Sequence, residues 1–336
     1  MKRTAQLFAV AAAILLAASA ALAQHEHHGA AQHKVATGVK LDVKDDAAAQ
    51  TFTVRVGPFH LSVNSDHNAT PQAPDAYLTI PFDGWLIAYH PRVVDGAGQP
   101  VPNKVLHHVA FWNIARPDFL CPNKEEHIFG AGGEMNDWPA LPGFGYRVRK
   151  GDRIRVNTMW HNPTGTHYPM AYLEVRMEYR RAAPGVALKS VYPTWLDVMR
   201  CGDSGYDLKP GKNITSGEFT LGFTGALLGL GGHLHDYGER LDVRNSTKNE
   251  VIAALQSKLD AAGRILAMPI VTFVERGGYR LNKGEIVRVT ATYDNRTARP
   301  LPEGAMGIAV GYFLPDDDAL VAALKRNKPA SAKKSR

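Results

Sequence analysis

Short runs of alternating apolar and polar residues recur along most of this chain. From residue 51 onward these runs are rich in β-branched and aromatic residues, and clusters of Pro, Gly, Asn and Asp separate them. The runs in the first half are FTVRVGPFHLSV, AYLTIPFDGWLIAYH, KVLHHVAFWNI, DRIRVNTMWH and AYLEVRMEYR. Strand-length segments bounded by turn signals predict an antiparallel β-sandwich up to about residue 180.

The same pattern resumes after the break RRAAPGVAL. The runs of the second half are KSVYPTWLDVM, GEFTLGFTGA, RLDVRN, RILAMPIVTFV, EIVRVTATYDN and MGIAVGYFLP. The segment EVIAALQSKL at 250–259 has helix-favouring residues, but it is short and lies between strands, so we predict a strand there. The predicted fold class is all-β, with two tandem antiparallel β-sandwich domains of the jelly-roll type.

The first residues predict export. Lys2 and Arg3 precede an apolar run that ends in small residues at Ala23, which is the order of a secretory signal peptide. We therefore expect a secreted or periplasmic protein, and no later stretch reaches the roughly 18 apolar residues that a membrane span needs. The predicted organisation is a signal peptide 1–23, a flexible His-rich leader 24–48, an N-terminal β-sandwich 49–180, a linker 181–189, a C-terminal β-sandwich 190–316 and a basic disordered tail 317–336.

Charge and cysteine content change this picture little. Removing the predicted signal peptide lowers the formal net charge from +7 to +5, which is too mild and too scattered to indicate a nucleic-acid partner. Cys121 and Cys201 are the only cysteines. In an oxidising compartment they allow one disulfide, but the sequence does not show whether the two residues meet.

His233 and His235 lie two positions apart in the segment GGHLHDYG. Side chains two apart on a strand share a face, so both imidazoles can reach one metal ion. The glycines at 231, 232 and 238 permit close backbone approach and sharp turns around the pair. A pair of hydrogen-bonded surface histidines is the alternative interpretation.

His107 and His108 are adjacent, and neighbours on a regular strand point to opposite faces. Both can bind one ion only if the strand is bulged or strongly twisted, or if the two rings use different nitrogens. One ligand and one structural histidine is the alternative. His161 ends a strand ahead of a Pro-bearing turn, which suits either a third ligand or a simple hydrogen-bonded histidine.

The order of these elements resembles the copper type II, ascorbate-dependent monooxygenases, the family of peptidylglycine α-hydroxylating monooxygenase and dopamine β-monooxygenase. A His-His pair is followed by Trp-His-Asn-Pro at 160–163, then by His-x-His, then by Met-Gly-Ile-Ala-Val-Gly-Tyr-Phe-Leu-Pro. The segments 129–133 and 141–146 resemble the family's glycine-rich stretch ahead of the third histidine, and Ala-Thr-Tyr-Asp-Asn at 291–295 resembles its Tyr-Asn strand. The resemblance covers roughly residues 50–315.

The resemblance implies two separate copper sites, one in each sandwich. The implied ligands are His107, His108 and His161 for the first ion and His233, His235 and Met306 for the second. The second set is the catalytic one, where dioxygen binds and a substrate C–H bond is hydroxylated, while the first copper supplies an electron across a solvent-filled cleft. Imidazoles with a thioether also suit Cu(I) on chemical grounds. Without the resemblance, Met306 would be assigned to core packing.

Three positions depart from the peptide hydroxylase where that enzyme clamps its substrate's carboxylate. Gly231, Ile308 and Val310 occupy them, and none offers a polar side chain to a carboxylate. We therefore predict that glycine-extended peptides are not substrates and that the substrate is an apolar small molecule. The cysteine that usually follows the ligand methionine is Gly307 here, which leaves at most one disulfide.

The sequence thus predicts an exported copper-dependent monooxygenase that uses O2 and an external electron donor, with ascorbate as the reductant implied by the resemblance. A periplasmic copper-binding or storage protein that has lost catalysis is the alternative. A zinc-dependent hydrolase is disfavoured because no HExxH-like arrangement supplies a general base. The leader segment at 24–28, Gln-His-Glu-His-His, is either a metal-capturing segment or a solvated tail.

Overall fold

The computed structural model describes residues 34–134 and 137–324. The predicted signal peptide, the first part of the leader and the end of the tail lie outside the described residues. The strands of the first half are β1 (Lys40–Asp46), β2 (Thr51–Leu61), β3 (Ala76–Thr79), β4 (Gly84–Val94), β5 (Pro100–Val101), β6 (Leu106–Pro117), β7 (Glu125–Gly132), β8 (Phe144–Val148), β9 (Arg153–Trp160) and β10 (Tyr168–Arg181).

The second half continues this all-β pattern. Its strands are β11 (Lys189–Asp197), β12 (Tyr206–Leu208), β13 (Gly211–Thr220), β14 (Gly225–Leu234), β15 (Gly238–Asn245), β16 (Glu250–Gln256), β17 (Lys258–Leu259), β18 (Ile265–Ala267), β19 (Val271–Thr272), β20 (Tyr279–Leu281), β21 (Ile286–Asn295), β22 (Leu301–Ala305) and β23 (Gly307–Pro315). The helical segments are the 3-10 turns Asn103–Val105 and Val274–Arg276 and the helix α1 (Asp318–Ala322). The all-β prediction is confirmed, as is the strand predicted at 250–259, which forms β16 and β17.

Each half is a pair of packed sheets with its own apolar core. In the first half the sheet β3-β9-β6-β7 packs on the strands β1-β2-β10-β4-β8, and inward residues such as Phe52, Val109 and Leu173 fill the space between them. In the second half the sheet β13-β21-β15-β16 packs on β11-β23-β14-β19, with Leu241 and Phe313 in its core. Alternating inward apolar residues on both sheets are what a sandwich requires.

One strand joins the two halves into a continuous eleven-stranded sheet. Residues 189–191 of β11 pair in parallel with β8 of the first half, and residues 192–197 pair antiparallel with β23 of the second. A disulfide between Cys121 and Cys201 also links the halves covalently, and it settles the pairing that the sequence left open. Cys121 and Phe119, from the loop after β6, lie in the core of the second half. The halves are therefore closely docked.

Two segments depart from the predicted organisation. Strand β1 lies inside the predicted flexible leader, where Leu41 and Val43 pair with Val56 and Val54 of β2. Its side chains are mostly exposed, so backbone pairing rather than an apolar pattern stabilises this edge strand. Residues 318–322, predicted as disordered tail, form helix α1. Across the described residues, no helix is long and apolar enough to cross a membrane.

Candidate metal centre

A β-bulge brings the rings of His107 and His108 to the same side of β6. The register of β6 against β9 shifts between Leu106 and His108, so the chain gains a residue at His107. The extra residue rotates the strand and cancels the alternation that would separate neighbouring side chains. The ring centroids of the two histidines lie 5.2 Å apart. A bulge is one of the arrangements that would let two adjacent histidines bind one ion.

His161 follows β9 directly and joins the same group. Its backbone N–H donates to Val105 at 3.2 Å, and its ring centroid lies 5.1 Å from that of His107. Its Nε2 lies 2.7 Å from the carbonyl oxygen of Lys104. A carbonyl only accepts, so His161 donates from Nε2 and leaves the Nδ1 lone pair for a metal ion.

His233 and His235 lie at the end of β14 and just beyond it, and their ring centroids are 5.3 Å apart. Strand β14 pairs with β23, which sets His233 opposite Ile308. The chain turns directly after His235, where the backbone N–H of Gly238 donates to the His235 carbonyl oxygen at 3.1 Å. A Cβ at Gly238 would lie 2.7 Å from the Cβ of Leu234, so this turn needs glycine.

The two predicted sites are not separate in the structure. His107 of the first half and His235 of the second have ring centroids only 4.7 Å apart. A solvent-filled cleft between the two groups of histidines is therefore excluded by the structure, and the prediction of one is wrong. Two imidazoles that bind one ion at about 2.0 Å with a tetrahedral angle have centroids about 5 Å apart, the spacing seen throughout this cluster.

Met306, the predicted thioether ligand, is held near His235 because the backbones of both residues hydrogen-bond to the same tyrosine. Tyr293 lies in β21, and its hydroxyl accepts from the backbone N–H of His235 at 2.9 Å and of Met306 at 3.2 Å. The same hydroxyl donates to the Met306 carbonyl oxygen. Met306 separates β22 from β23 instead of lying within an apolar strand. One buried phenol thus holds together the backbones that carry both residues.

Two residues of the centre were not predicted from the sequence. Glu134, directly after β7 in the first half, accepts a hydrogen bond from Nδ1 of His233 in the second. His67, from the loop after β2, stacks on His107 with centroids 5.0 Å apart and planes 14° from parallel. Histidine ligands commonly donate their second nitrogen to a carboxylate, so the Glu134 contact leaves Nε2 of His233 as the nitrogen available to a metal ion.

Three imidazoles of the cluster have lowered pKa values and so favour the neutral form, which is the form that binds metal. Burial lowers the pKa of His107 well below its ordinary value, and repulsion from His235 adds to this. Burial and the neighbouring histidines lower the pKa of His235 in the same way, and burial lowers the pKa of His161 to about 4. Burial also opposes protonation of His233, but the Glu134 carboxylate outweighs it and raises the His233 pKa.

The donor atoms suit a metal ion, although their side chains do not converge on a single point. Among the described residues, no group of three or more His, Cys, Asp or Glu side chains has the geometry of a formed metal site. Yet Nε2 of His233 and Nε2 of His235 are buried without a hydrogen-bond partner from any described residue. Such atoms are costly unless something binds them.

Comparison with known proteins supplies two weak relatives. The chain is 25% identical, over 227 residues covering 62% of its length, to a probable copper-dependent oxygenase of Cochliobolus lunatus, and the match covers 72% of that protein. It is also 25% identical over 227 residues to a probable copper-dependent oxygenase of a Phoma species, of whose length the match spans only 57%. No family model matches the chain.

Solved structures resemble the fold only loosely. PNGase F, a glycosylasparaginase from Flavobacterium meningosepticum, superposes with a TM-score of 0.36 at 11% identity, covering 79% of this chain and 96% of that one. The crystal structure of a peptide-N(4)-(N-acetyl-β-D-glucosaminyl) asparagine amidase gives a TM-score of 0.39 at 10% identity, covering 79% of this chain and 97% of that one.

Proposed function

We propose that this protein is an exported copper-dependent monooxygenase whose metal centre is built by both halves of the chain. One observation carries the proposal: rings from both halves lie within 4.7 Å of each other, beside two buried imidazole nitrogens that lack partners among the described residues. The names of the two relatives, both probable copper-dependent oxygenases, support copper and oxygen as the chemistry.

The donor set favours copper over harder or more thiophilic ions. The six proposed ligands are His107, His108, His161, His233, His235 and Met306. Imidazoles suit several transition metals, but a thioether selects Cu(I), while zinc and hard cations favour thiolates or carboxylates. The carboxylate at this centre, Glu134, is engaged with an imidazole instead of being offered as a free ligand.

When bound, copper supplies dioxygen activation and one-electron chemistry. The chain's part is to hold the imidazoles in the right protonation state and direction. Lys104 fixes the tautomer of His161, Glu134 fixes that of His233, and Tyr293 fixes the backbone at His235 and Met306. Burial keeps His107 and His235 neutral and ready to bind.

The proposed reaction converts a substrate C–H bond into C–OH. One oxygen atom of O2 enters that bond, and two electrons and two protons reduce the other oxygen atom to water. The electrons come from an external reductant, for which ascorbate is our candidate. The short distance between the two histidine groups supports electron transfer within one centre, without a solvent gap. We propose an apolar small molecule as substrate.

Reductant-driven oxygen uptake tests this function. Copper-loaded protein with ascorbate should consume O2 in proportion to bound copper, and His235→Ala should abolish the uptake. His60→Ala is the matched control, because His60 is exposed and contacts His167 and not the cluster. Met306→Leu, which keeps the size but removes the sulfur, should slow uptake at least about tenfold if the thioether binds Cu(I). Copper binding without oxygen uptake under any reductant would contradict the proposal.

A further inference from the structure

A largely apolar pocket lies where the two halves meet. Its floor is formed by Pro193, Thr194 and Trp195 of β11, which pair with residues 310–312 of β23. Residues 127–130 of β7 and the indole of Trp138 line its sides. It is partly open to solvent. Clefts with mainly apolar walls and a few polar groups are typical small-molecule sites.

Two strands connect this pocket to the metal centre. On β23, Val310 lines the pocket, while Ile308, two residues away, pairs with His233. On β7, Gly130 lines the pocket, while Gly132, also two residues away, pairs with His108. Two residues of strand span about 7 Å. Both paths therefore place the pocket about 7 Å along the strands from the histidines.

Two polar atoms of pocket-lining residues have no hydrogen-bond partner in the described part of the chain. Nε1 of Trp138 and Oγ1 of Thr194 are buried, and no described residue offers either of them a hydrogen bond. Trp138 is 5% exposed and Thr194 4%. An indole N–H only donates, and a threonine hydroxyl can donate as well. Leaving such groups unpaired in an apolar wall is costly, so they indicate a ligand that supplies acceptors.

Two other polar side chains of the pocket are already engaged. His127 stacks on Trp195 with ring centroids 4.3 Å apart, and its Nδ1 lies 3.3 Å from a carboxylate oxygen of Asp118. Asp137 lies 2.8 Å from Nδ1 of His90. The pocket therefore offers no free cation to an anionic ligand within the part of the chain that the structure describes.

We propose that this pocket binds a neutral, mainly apolar or aromatic molecule that carries a carbonyl or hydroxyl oxygen, held by hydrogen bonds from Trp138 and Thr194. The inference rests on the proposed function in one respect, because the bound molecule would be the substrate class of the neighbouring centre. The apolar walls exclude charged ligands, and the two donors distinguish an oxygenated molecule from a pure hydrocarbon.

A pair of matched probes tests the binding in copper-free protein. Acetophenone and ethylbenzene have nearly the same shape, but only acetophenone carries an acceptor oxygen. Titrations followed by NMR of the five tryptophan indole N–H signals should show acetophenone binding at least about fivefold more tightly. The Trp138 signal, assigned through Trp138→Phe, should shift most.

Variants identify the groups responsible. Thr194→Val keeps the side-chain shape and should remove most of the preference for acetophenone, as should Trp138→Phe. Trp85→Phe is the matched control, because the Trp85 indole already donates to Ser190 and does not line the pocket. Thermal unfolding of each variant checks that it folds. Equal binding of both probes, or no saturable binding of either, would overturn the proposal.

The result is independent of oxygen chemistry. Because the titrations use copper-free protein, probe binding together with failed oxygen uptake would reject the proposed function and leave the ligand class standing. Oxygen uptake without probe binding would reject only the ligand class.

Discussion

The two halves of the molecule hold their histidines in different ways. In the first half the backbone sets the geometry: a bulge turns His107 and His108 to one side, and the Lys104 carbonyl fixes His161. In the second half side chains set it: the Glu134 carboxylate holds His233, and the Tyr293 hydroxyl holds the backbone at His235. The first group is internally supported, whereas the second takes Glu134 from the other half.

This difference makes the second group dependent on docking of the halves. His107, His108 and His161 lie on adjacent strands of one sheet, so they keep their arrangement as long as the first sandwich folds. His233 keeps its tautomer only while the loop after β7 stays against β14. Anything that loosens the contact between the halves should therefore affect His233 before it affects His161.

The largest effect on stability is expected when the disulfide between the halves is removed. Replacing Cys121 and Cys201 with serine opens a loop of 80 residues and should lower the free energy of unfolding by roughly 4 kcal/mol. Urea denaturation measures this as a lower midpoint. Wild-type protein under reducing conditions is the control and should match the double variant. A loss below about 1 kcal/mol would mean that the bridge contributes little to docking.

The next largest effect is expected for Glu134, the carboxylate of the first half that contacts His233 of the second. Glu134→Gln keeps the shape but removes the charge that orients His233, so copper affinity should fall 10- to 100-fold, or about 1.4 to 2.7 kcal/mol. Competition with a chelator of known affinity measures the change. Glu174→Gln is the control, since Glu174 pairs with Arg55 and Arg92 away from the histidines. Equal losses in both variants would show that only general stability was affected.

Removing the hydroxyl of Tyr293 should have a slightly smaller effect. Tyr293→Phe leaves the backbone N–H groups of His235 and Met306 without their acceptor, at a cost of about 2 kcal/mol in unfolding free energy. Tyr279→Phe provides the comparison, because the Tyr279 hydroxyl is at the surface on Glu250 and its loss should cost less than about 0.5 kcal/mol. Similar costs for the two variants would argue against a role of Tyr293 in holding the backbones of His235 and Met306.

The last effect is a change of stability with pH and concerns a carboxylate in the first half only. Burial raises the pKa of Glu126 to about 7 from an ordinary 4.5, against the opposing charge of Arg116. Between these values the unfolded chain loses its proton while the folded protein keeps it, so stability falls as pH rises through that window. The slope is at most about 1.4 kcal/mol per pH unit.

Comparing Glu126→Gln with wild type isolates this contribution. The difference in unfolding free energy between the two proteins should change between pH 5 and 7 and level off above 7. The histidines with lowered pKa values act oppositely at lower pH, but they are common to both proteins and cancel. A pH-independent difference would contradict the raised pKa.

The local features of the fold and the site could be predicted from the sequence. The alternation of apolar and polar residues located most strands. A bulge was one of the arrangements predicted to let two adjacent histidines bind one ion, and β6 has a bulge there. Strand β1 escaped prediction because its stability comes from pairing with β2 and not from a buried face. Glu134 and His67 were not predicted as members of the centre, because a single Glu beside a glycine segment, or a single His in a polar loop, carries no spacing signal.

The arrangement of the two halves could not be predicted in the same way. Strand β11 belongs to both halves, pairing with β8 and then with β23, and the pairing partners lie far apart in sequence. Alternation shows that a segment is a strand but not which strand lies beside it. The two cysteines were the available signal, since a bond between residues 121 and 201 requires the halves to touch.

Copper anomalous scattering from crystals of the metal-loaded protein tests the central claim most directly. If both halves build one centre, copper should lie within about 2.0 Å of imidazole nitrogens, with ligands from the His107 group and the His235 group at the same or directly adjacent ions. Two copper positions more than about 10 Å apart, each bound by histidines of one half only, would contradict it.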